Sequence, residues 1–449
     1  MRENKIFSTR AGAYVKAYAP FFLVASVGLL YHLLMQPMGG DDIFFSEATK
    51  DASLWEYLSH RYLNWTSRVV SEFILVNVIQ VPIVWRVINF LMFATFPMMF
   101  AKLFGDSELM RWCGAGAVLI FPFHDMGTAG WITTTVTHFW PLWGIFFVGL
   151  LIKKMATEEH IHPAEAVLGV FVCVMTGSHE QYAVIMAVIF VLYGVYLWQQ
   201  KRKPACLPLF VALVLVVAVS LLVIVLCPGN AGRNAVSLAD LPIYATFGFG
   251  DKLYLGLLSI ERVFIANADA VFLAVTLIWT MLVYLKTNDY KKTLISGVPL
   301  LILFGQTVVR TAYPGLSGLF VMPEQILEWS WSELSTWIPM VYLALAVAAM
   351  IYALYQLFGE NLYAYICVLI LLGCGFGAGM VLGFMATIYV SGERVYAPLY
   401  AILLLVTLFA VYKQRETVAK SIRQTSGKLV LSVLGLMCLV NIFFITLSV

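Results

Sequence analysis

Twelve stretches of this chain meet or approach the length of about 20 apolar residues that carries a helix across the hydrocarbon core of a bilayer. They run near 17–37, 85–104, 138–153, 164–177, 182–199, 205–227, 262–285, 293–309, 336–358, 361–384, 396–412 and 429–447. Two further segments, 69–82 and 109–122, are shorter and ambiguous. The composition requires the same conclusion. Hydrophobic residues fill 61% of the 449 positions and charged ones 12%, against roughly 25% charge in a soluble domain. A water-soluble fold of this size has too much surface to hide so much apolar side chain. The chain therefore reads as an all-α polytopic membrane protein of about 11–13 transmembrane helices. It forms a single integral-membrane domain over 1–449, with no internal repeat.

Composition also removes several classes of function. The seven cysteines (Cys113, Cys173, Cys206, Cys227, Cys367, Cys374, Cys438) lie mostly inside apolar runs with no metal-ligand or redox spacing, as small buried hydrophobes do. The net charge of +3 comes from short basic clusters flanking the spans, so nucleic acid is not a partner. No small-residue cleavage site follows the first apolar run at Met38-Gly39-Gly40, which makes that run an uncleaved first helix. No Walker-type loop, HExxH, Rossmann fingerprint or nucleophilic serine motif is present, which argues against a nucleotide-using enzyme on the cytoplasmic side.

Lysine and arginine in short loops prefer the cytoplasm. Arg2, Lys5, Arg10 and Lys16 place the N-terminus inside. Lys153-Lys154, Lys201-Arg202-Lys203, Lys286 with Lys291-Lys292, and the cluster Lys413 to Lys428 mark four later inside loops. Parity then requires that one of the segments 69–82, 85–104 and 109–122 fails to cross. With those anchors fixed, the opposite face collects 38–68, 124–138, 178–181, 228–261, 310–335 and 385–395, which are the polar, motif-like stretches.

The first of these opens with Gly39-Gly40-Asp41-Asp42. Adjacent carboxylates at a membrane boundary repel each other and lose solvation, which suits a general base or an oxygen ligand for a divalent cation. A turn with two solvated acids is the plainer alternative. Residues 52–65 follow as an amphipathic interfacial helix. Leu54, Trp55, Leu58, Tyr62 and Trp65 lie on one face, and Glu56, Ser59, His60, Arg61 and Asn64 on the other. Arg68, just beyond, suits a phosphate, or else an i,i+4 pair with Glu72. Trp131 and His138 stand in a run rich in threonine, followed by Trp140 and Trp143 as candidate belt residues. Ser178-His179-Glu180-Gln181 forms a hairpin too short for an ordinary solvated loop, where ionisable groups are costly and functional by default. Pro228-Gly229-Asn230-Ala231-Gly232-Arg233 ends a long span, its glycines allowing backbone amides to approach a ligand. Arg233, Arg310 and Arg394 lie opposite the lysine-rich loops, and the planar fork of arginine favours an anionic ligand there.

This arrangement resembles the GT-C integral-membrane glycosyltransferases, and among them the bacterial and phage glucosyltransferases that modify O-antigen, the serotype-converting group. The likeness rests on Asp41-Asp42, Trp65 to Arg68, His179-Glu180 and the Asn230–Arg233 turn, in that order and on one side. It covers most of the chain in topology. Ser67 stands where the family often has glycine, and the large C-terminal periplasmic domain of several branches has no counterpart here. The resemblance implies a bacterial inner-membrane enzyme with an active site on the periplasmic face. Its donor would be a polyprenyl-phosphate-linked sugar, on undecaprenyl phosphate, and its acceptor a polysaccharide or lipid-linked oligosaccharide of the lipopolysaccharide. It also implies an essential carboxylate in the first outer loop, here Asp41 or Asp42.

The residues suit that chemistry. Asp41 or Asp42 would deprotonate the acceptor, and Arg68, Arg233, Arg310 or Arg394 would neutralise the departing phosphate, with Trp65, Trp131, His138, His179, Glu180 and Asn230 holding substrate. Transfer would invert the anomeric centre of a hexose such as glucose. No cofactor is required, with a divalent cation left open. Two other classes use outer arginines as well: a flippase or exporter of a lipid-linked saccharide, and a polysaccharide polymerase or ligase.

Overall fold

The structure, a computed structural model, describes residues 2–313, 329–389 and 391–448. Outside the described residues lie 314–328, which form part of the outer stretch 310–335, and the side chains of Arg2, Lys5, Arg10 and Arg310. Every regular element among the described residues is a helix. Ten are individually long and apolar enough to cross a membrane, and eleven if a pair bent by 57° counts as one span. The chain is a multi-pass membrane protein with spans at the lower end of the anticipated range.

Two compact units stand within what the sequence reads as one membrane domain. The first takes Met1–Tyr62, Ser67–Cys227 and Ser432–Val449. Its helices are α1 (Arg2–Leu34), α2 (Asp41–Glu47), α3 (Leu54–Asn64, to Tyr62), α4 (Val69–Val78), α5 (Pro82–Leu103), α6 (Glu108–Ile120), α7 (Trp131–Thr134), α8 (Trp140–Ala156), α9 (Pro163–Gly177), α10 (Glu180–Gln199) and α11 (Leu207–Val225). The second takes Leu63–Thr66 and Pro228–Leu431. It holds α12 (Gly229–Asp240), α13 (Phe249–Glu261), α14 (Ala270–Thr287), α15 (Tyr290–Ser296), α16 (Val298–Ala312), α17 (Leu334–Phe358), α18 (Leu362–Met380), α19 (Ala397–Lys413) and α20 (Arg415–Ser421). The last helix, α21 (Thr425–Ser448), belongs to the first unit from Ser432 onward.

In lipid the apolar side chains give no preference for one helix over another, so close packing and a few buried polar groups decide the bundle. The first unit shows both. His32 Nδ1 sits 2.6 Å from Gly28 O, Asn89 Nδ2 is 2.9 Å from His32 Nε2, and Trp140 Nε1 donates to Asn89 Oδ1 at 3.0 Å. That chain ties α1, α5 and α8 together. Trp140 is thus a core residue, and Trp143 donates to Thr95 and stacks on Phe147, so neither forms the belt that sequence suggested.

The two ends of this unit are chemically different. At one end Arg111 donates to Ala17 O, Lys153 reaches Lys102 O, and Lys154 pairs with Glu165. At the other, Asp41 N donates to Ala129 O and Ser71 pairs with Ser178. α1, α5, α6, α8, α9 and α10 run between these ends. α4 is only 10 residues long and packs against α2, α5, the turn 135–139 and α9. Of the three segments 69–82, 85–104 and 109–122 it forms the shortest helix.

Within the second unit α14, α17, α18 and α19 pack together, and Trp279 donates to Thr407 at 2.8 Å between α14 and α19. α13 lies across the end of α18. A Cβ at Gly256 would come within 2.1 Å of Met380 O, so no larger residue admits that approach.

Candidate active site

The site in the first unit is built on a backbone turn that needs glycine. Gly40 (φ +56°) and Gly130 (φ +101°) both occupy the left-handed region that other residues avoid. A Cβ on Gly130 would sit 2.6 Å from the Asp42 carboxyl. With both in place, the start of α2 closes against the start of α7, and the two adjacent acids separate in role. Asp42 is fully buried. Its Oδ1 accepts from Thr133 N at 2.8 Å and Thr133 Oγ1 at 2.7 Å, and its Oδ2 from Met38 N at 3.2 Å and Ile132 N at 3.3 Å. Four donors from segments about ninety residues apart hold one carboxylate, an arrangement typical of a positioning anchor. Asp41, beside it, is exposed. Of the two candidate bases, only Asp41 offers its carboxylate to solvent.

A divalent cation does not fit this pair. The lone pairs of Asp42 are already taken by donors, and among the described residues no group of three or more His, Cys, Asp or Glu is placed to hold an ion.

The interfacial helix α3 departs from its anticipated faces. Arg61, placed by sequence on the solvated side, turns inward to Glu72, with Nε to Oε2 at 2.7 Å and a second bond from Nη2. Tyr57 OH donates to the same carboxylate at 3.0 Å, and the Arg61 guanidinium lies over the rings of Phe44 and Phe45 at 5.7 Å. Glu72 is thereby unavailable as the i,i+4 partner of Arg68. Arg68 reaches instead across 112 residues to Glu180, with Nε to Oε2 at 2.7 Å. Buried Ser67 donates to the other carboxylate oxygen at 3.2 Å, where a glycine would supply no donor.

Glu180 opens α10, and only Ser178 and His179 separate it from the end of α9. His179 is the N-cap, in extended conformation and buried, its Nδ1 at 3.8 Å from Glu180 Oε2. Its ring meets that of His138 at 5.0 Å and that of Tyr182 at 4.9 Å, while Tyr182 OH donates to His138 O at 2.8 Å. His138 lies in the π-helical turn Thr135–Phe139, an irregularity frequent at functional sites. Trp131 is buried and stacks on Phe123, so it walls the site from within rather than presenting a face.

Asp41, Asp42, Arg68, Trp131, His138, His179 and Glu180 thus all belong to the first unit. Trp65, Asn230, Arg233, Arg310 and Arg394 belong to the second. There Gly232 has its Cβ position 2.4 Å from Asn64 O, so its smallness serves backbone packing rather than ligand approach. Asn230 and Arg233 sit half-buried in the first turns of α12. Arg394 is half-buried in the turn Glu393–Tyr396, where Glu393 accepts from Asn267 at 3.2 Å.

Three features went unread in the sequence. Thr133 and Ser67 supply hydrogen bonds that place the two carboxylates, a role that nothing in the sequence indicates for either hydroxyl. His124 lies 3.2 Å from Asp125, and burial lowers its pKa below the usual imidazole value. Glu261, a lone acid among apolar neighbours at the end of α13, is fully buried. The chain matches no family model, no curated protein and no solved structure.

Proposed function

We propose that the protein is a glycosyltransferase that moves a sugar from a polyprenyl-phosphate carrier to a hydroxyl of a surface polysaccharide such as O-antigen, working at the periplasmic face of a bacterial inner membrane. The observation that carries this reading is that one compact unit holds both an exposed and an anchored carboxylate and the cluster of Arg68, Glu180, His179 and His138. In this reading Asp41 accepts the proton of the acceptor hydroxyl, whose oxygen attacks the anomeric carbon. The bond from that carbon to the phosphate oxygen breaks, the configuration inverts, and the phosphate leaves on its lipid. Asp42 holds the loop that carries Asp41. Arg68, oriented by Glu180, supplies charge to the leaving phosphate; Arg233, Arg310 and Arg394 are further candidates for that role on their chemistry. A base in position contributes about 10²–10⁴-fold and fixed positive charge at a developing phosphate a further large factor. Lysine-rich loops at 153–154 and 201–203 belong to the cytoplasmic side, and the site therefore to the other.

The test is transfer by the purified protein in nanodiscs from a defined polyprenyl-phosphate hexose to lipid-linked oligosaccharide, followed by mass spectrometry. Wild type should form product and Asp41→Asn should lose about 10²–10⁴-fold of the rate. Product formation unaffected by Asp41→Asn would favour a flippase or an arginine-based ligase.

A further inference from the structure

Away from the candidate active site, the second unit contains an apolar groove of about 790 Å³ between α13, α17 and α18. Tyr254, Leu257, Trp337, Val347, Leu354 and Phe376 are among its lining residues. From Trp337 to Leu354 it follows α17 for roughly 26 Å, at 1.5 Å per residue, most of the ~30 Å depth of a hydrocarbon core. Gly250, Tyr254 and Leu257 mark the face that α13 turns to the groove, and the next position on that stripe is Glu261.

Glu261 has no exposed surface, and neither carboxyl oxygen has a hydrogen-bond partner among the described residues. An ionised carboxylate in that condition is too costly to persist. The elements around α13 bring little compensating charge. α17 contributes Tyr342 and α18 contributes Cys374; Arg262 on the following turn is exposed, and Glu393 and Tyr396 lie beyond it. On α13 itself Asp251 and Lys252 are half-buried at the far end of the helix. Of these groups, Tyr254 and Tyr342 lie within electrostatic reach of Glu261, and Tyr254 also lines the groove.

We propose that the groove is a binding site for one hydrocarbon chain of an amphiphile and that Glu261, one turn beyond the last lining residue of α13 and behind Tyr254, is a proton-binding group linked to it, so that chain and proton bind together. The reasoning is linkage. A hydrocarbon chain displaces water from the groove and raises the cost of a charge behind Tyr254, so it binds better to the protonated protein. Reciprocally, it tightens the hold on the proton. Burial already pushes the Glu261 carboxyl up to about 8, which puts the exchange within the accessible pH range. This inference is independent of sugar transfer.

Two measurements test it on the full chain in nanodiscs. A hydrophobic carbodiimide reacts with protonated carboxyls and should modify Glu261, found by peptide mapping, with a rate that falls roughly tenfold for each pH unit above about 8. A phosphatidylcholine bearing a diazirine in one acyl chain should crosslink to α17 peptides several-fold less at pH 9 than at pH 6, and Glu261→Gln should remove that dependence. No adduct at Glu261, or one formed at a pH-independent rate, would overturn the proton site without any mutant. Crosslinking that is absent from α17, or equally pH-dependent in Glu261→Gln, would overturn the linkage.

Discussion

Replacing Asp42 by asparagine should unfasten the first loop, whereas the same change at Asp41 should leave the loop closed and stop the chemistry. The difference follows from the four donors on Asp42. An asparagine presents one oxygen and one NH₂, so in either orientation two donors face a third instead of an acceptor. Two charge-assisted bonds are lost, each worth about 1.5–3 kcal/mol. The bonds to Oδ2, at 3.2 and 3.3 Å, are the longer pair, so the amide should turn its NH₂ to them and the cost should fall toward 3 kcal/mol. At about 1.4 kcal/mol per factor of ten, the open state then gains at least roughly a hundredfold. Amide hydrogen exchange by mass spectrometry reads that directly at Met38, Ile132 and Thr133. Asp42→Asn should accelerate exchange there by about that factor and lower transfer as a consequence, while Asp41→Asn should leave exchange unchanged and abolish transfer. Equal exchange in the two variants would refute the division of labour between the acids, and with it the choice of Asp41 as base.

Four further outcomes are open to measurement. Arg68→Ala and Glu180→Ala should each depress transfer, and a double-mutant cycle should show coupling of about 1 kcal/mol, because both side chains are about three-quarters covered; strict additivity would mean the pair is incidental. Arg394→Lys should impair transfer nearly as much as Arg394→Ala, about ten- to hundredfold, if its planar fork grips phosphate, and full activity in the lysine variant would move that role to Arg233 or Arg310. Cysteines placed at Ser46 and Ala231 should react with an impermeant maleimide in cells with a permeable outer membrane, and protection of both would invert the orientation. The second unit should lose stability as pH rises from about 4.5 to about 8, since the folded state then holds a proton on Glu261 that the unfolded state has released; Glu261→Gln should flatten thermal stability across that window.

What could be read in advance, and what could not, follows from the range of the interactions involved. Membrane crossing is a property of local composition, so the spans were legible from runs of apolar residues, and sidedness grouped the polar segments before any contact was known. The short polar hairpin at 178–181 was legible for the same reason, since apolar runs flank it closely; in the fold only Ser178 and His179 lie between the helices. Choosing between adjacent acids is different in kind. Asp41 and Asp42 share a sequence neighbourhood, and nothing local to it indicates that Thr133 will present two donors to one of them. The alternative partner offered for Arg68 fails by the same route, because helical spacing offered Glu72 at i+4 and the fold gives Glu72 to Arg61 from another helix.

The two long-range pairings are connected. Arg61 satisfies Glu72, with Tyr57 as a second donor, and that leaves Arg68 to extend toward Glu180. Had Arg68 paired locally, Glu180 would stand at the start of α10 with Ser67 as its hydroxyl donor, a weaker partner for a carboxylate than a guanidinium. The exchange of partners thus converts two local ion-pair candidates into one anchor for α3 and one link between α4 and α10. The loop that carries Asp41, the proposed base, gains from both, since its two flanks, at Asp42 and at Arg68, are fastened to separate helices of the same bundle. The position of Asp41 is then set by long-range bonds on either side of it, which is why the chemistry assigned to it is sensitive to residues that never touch a substrate.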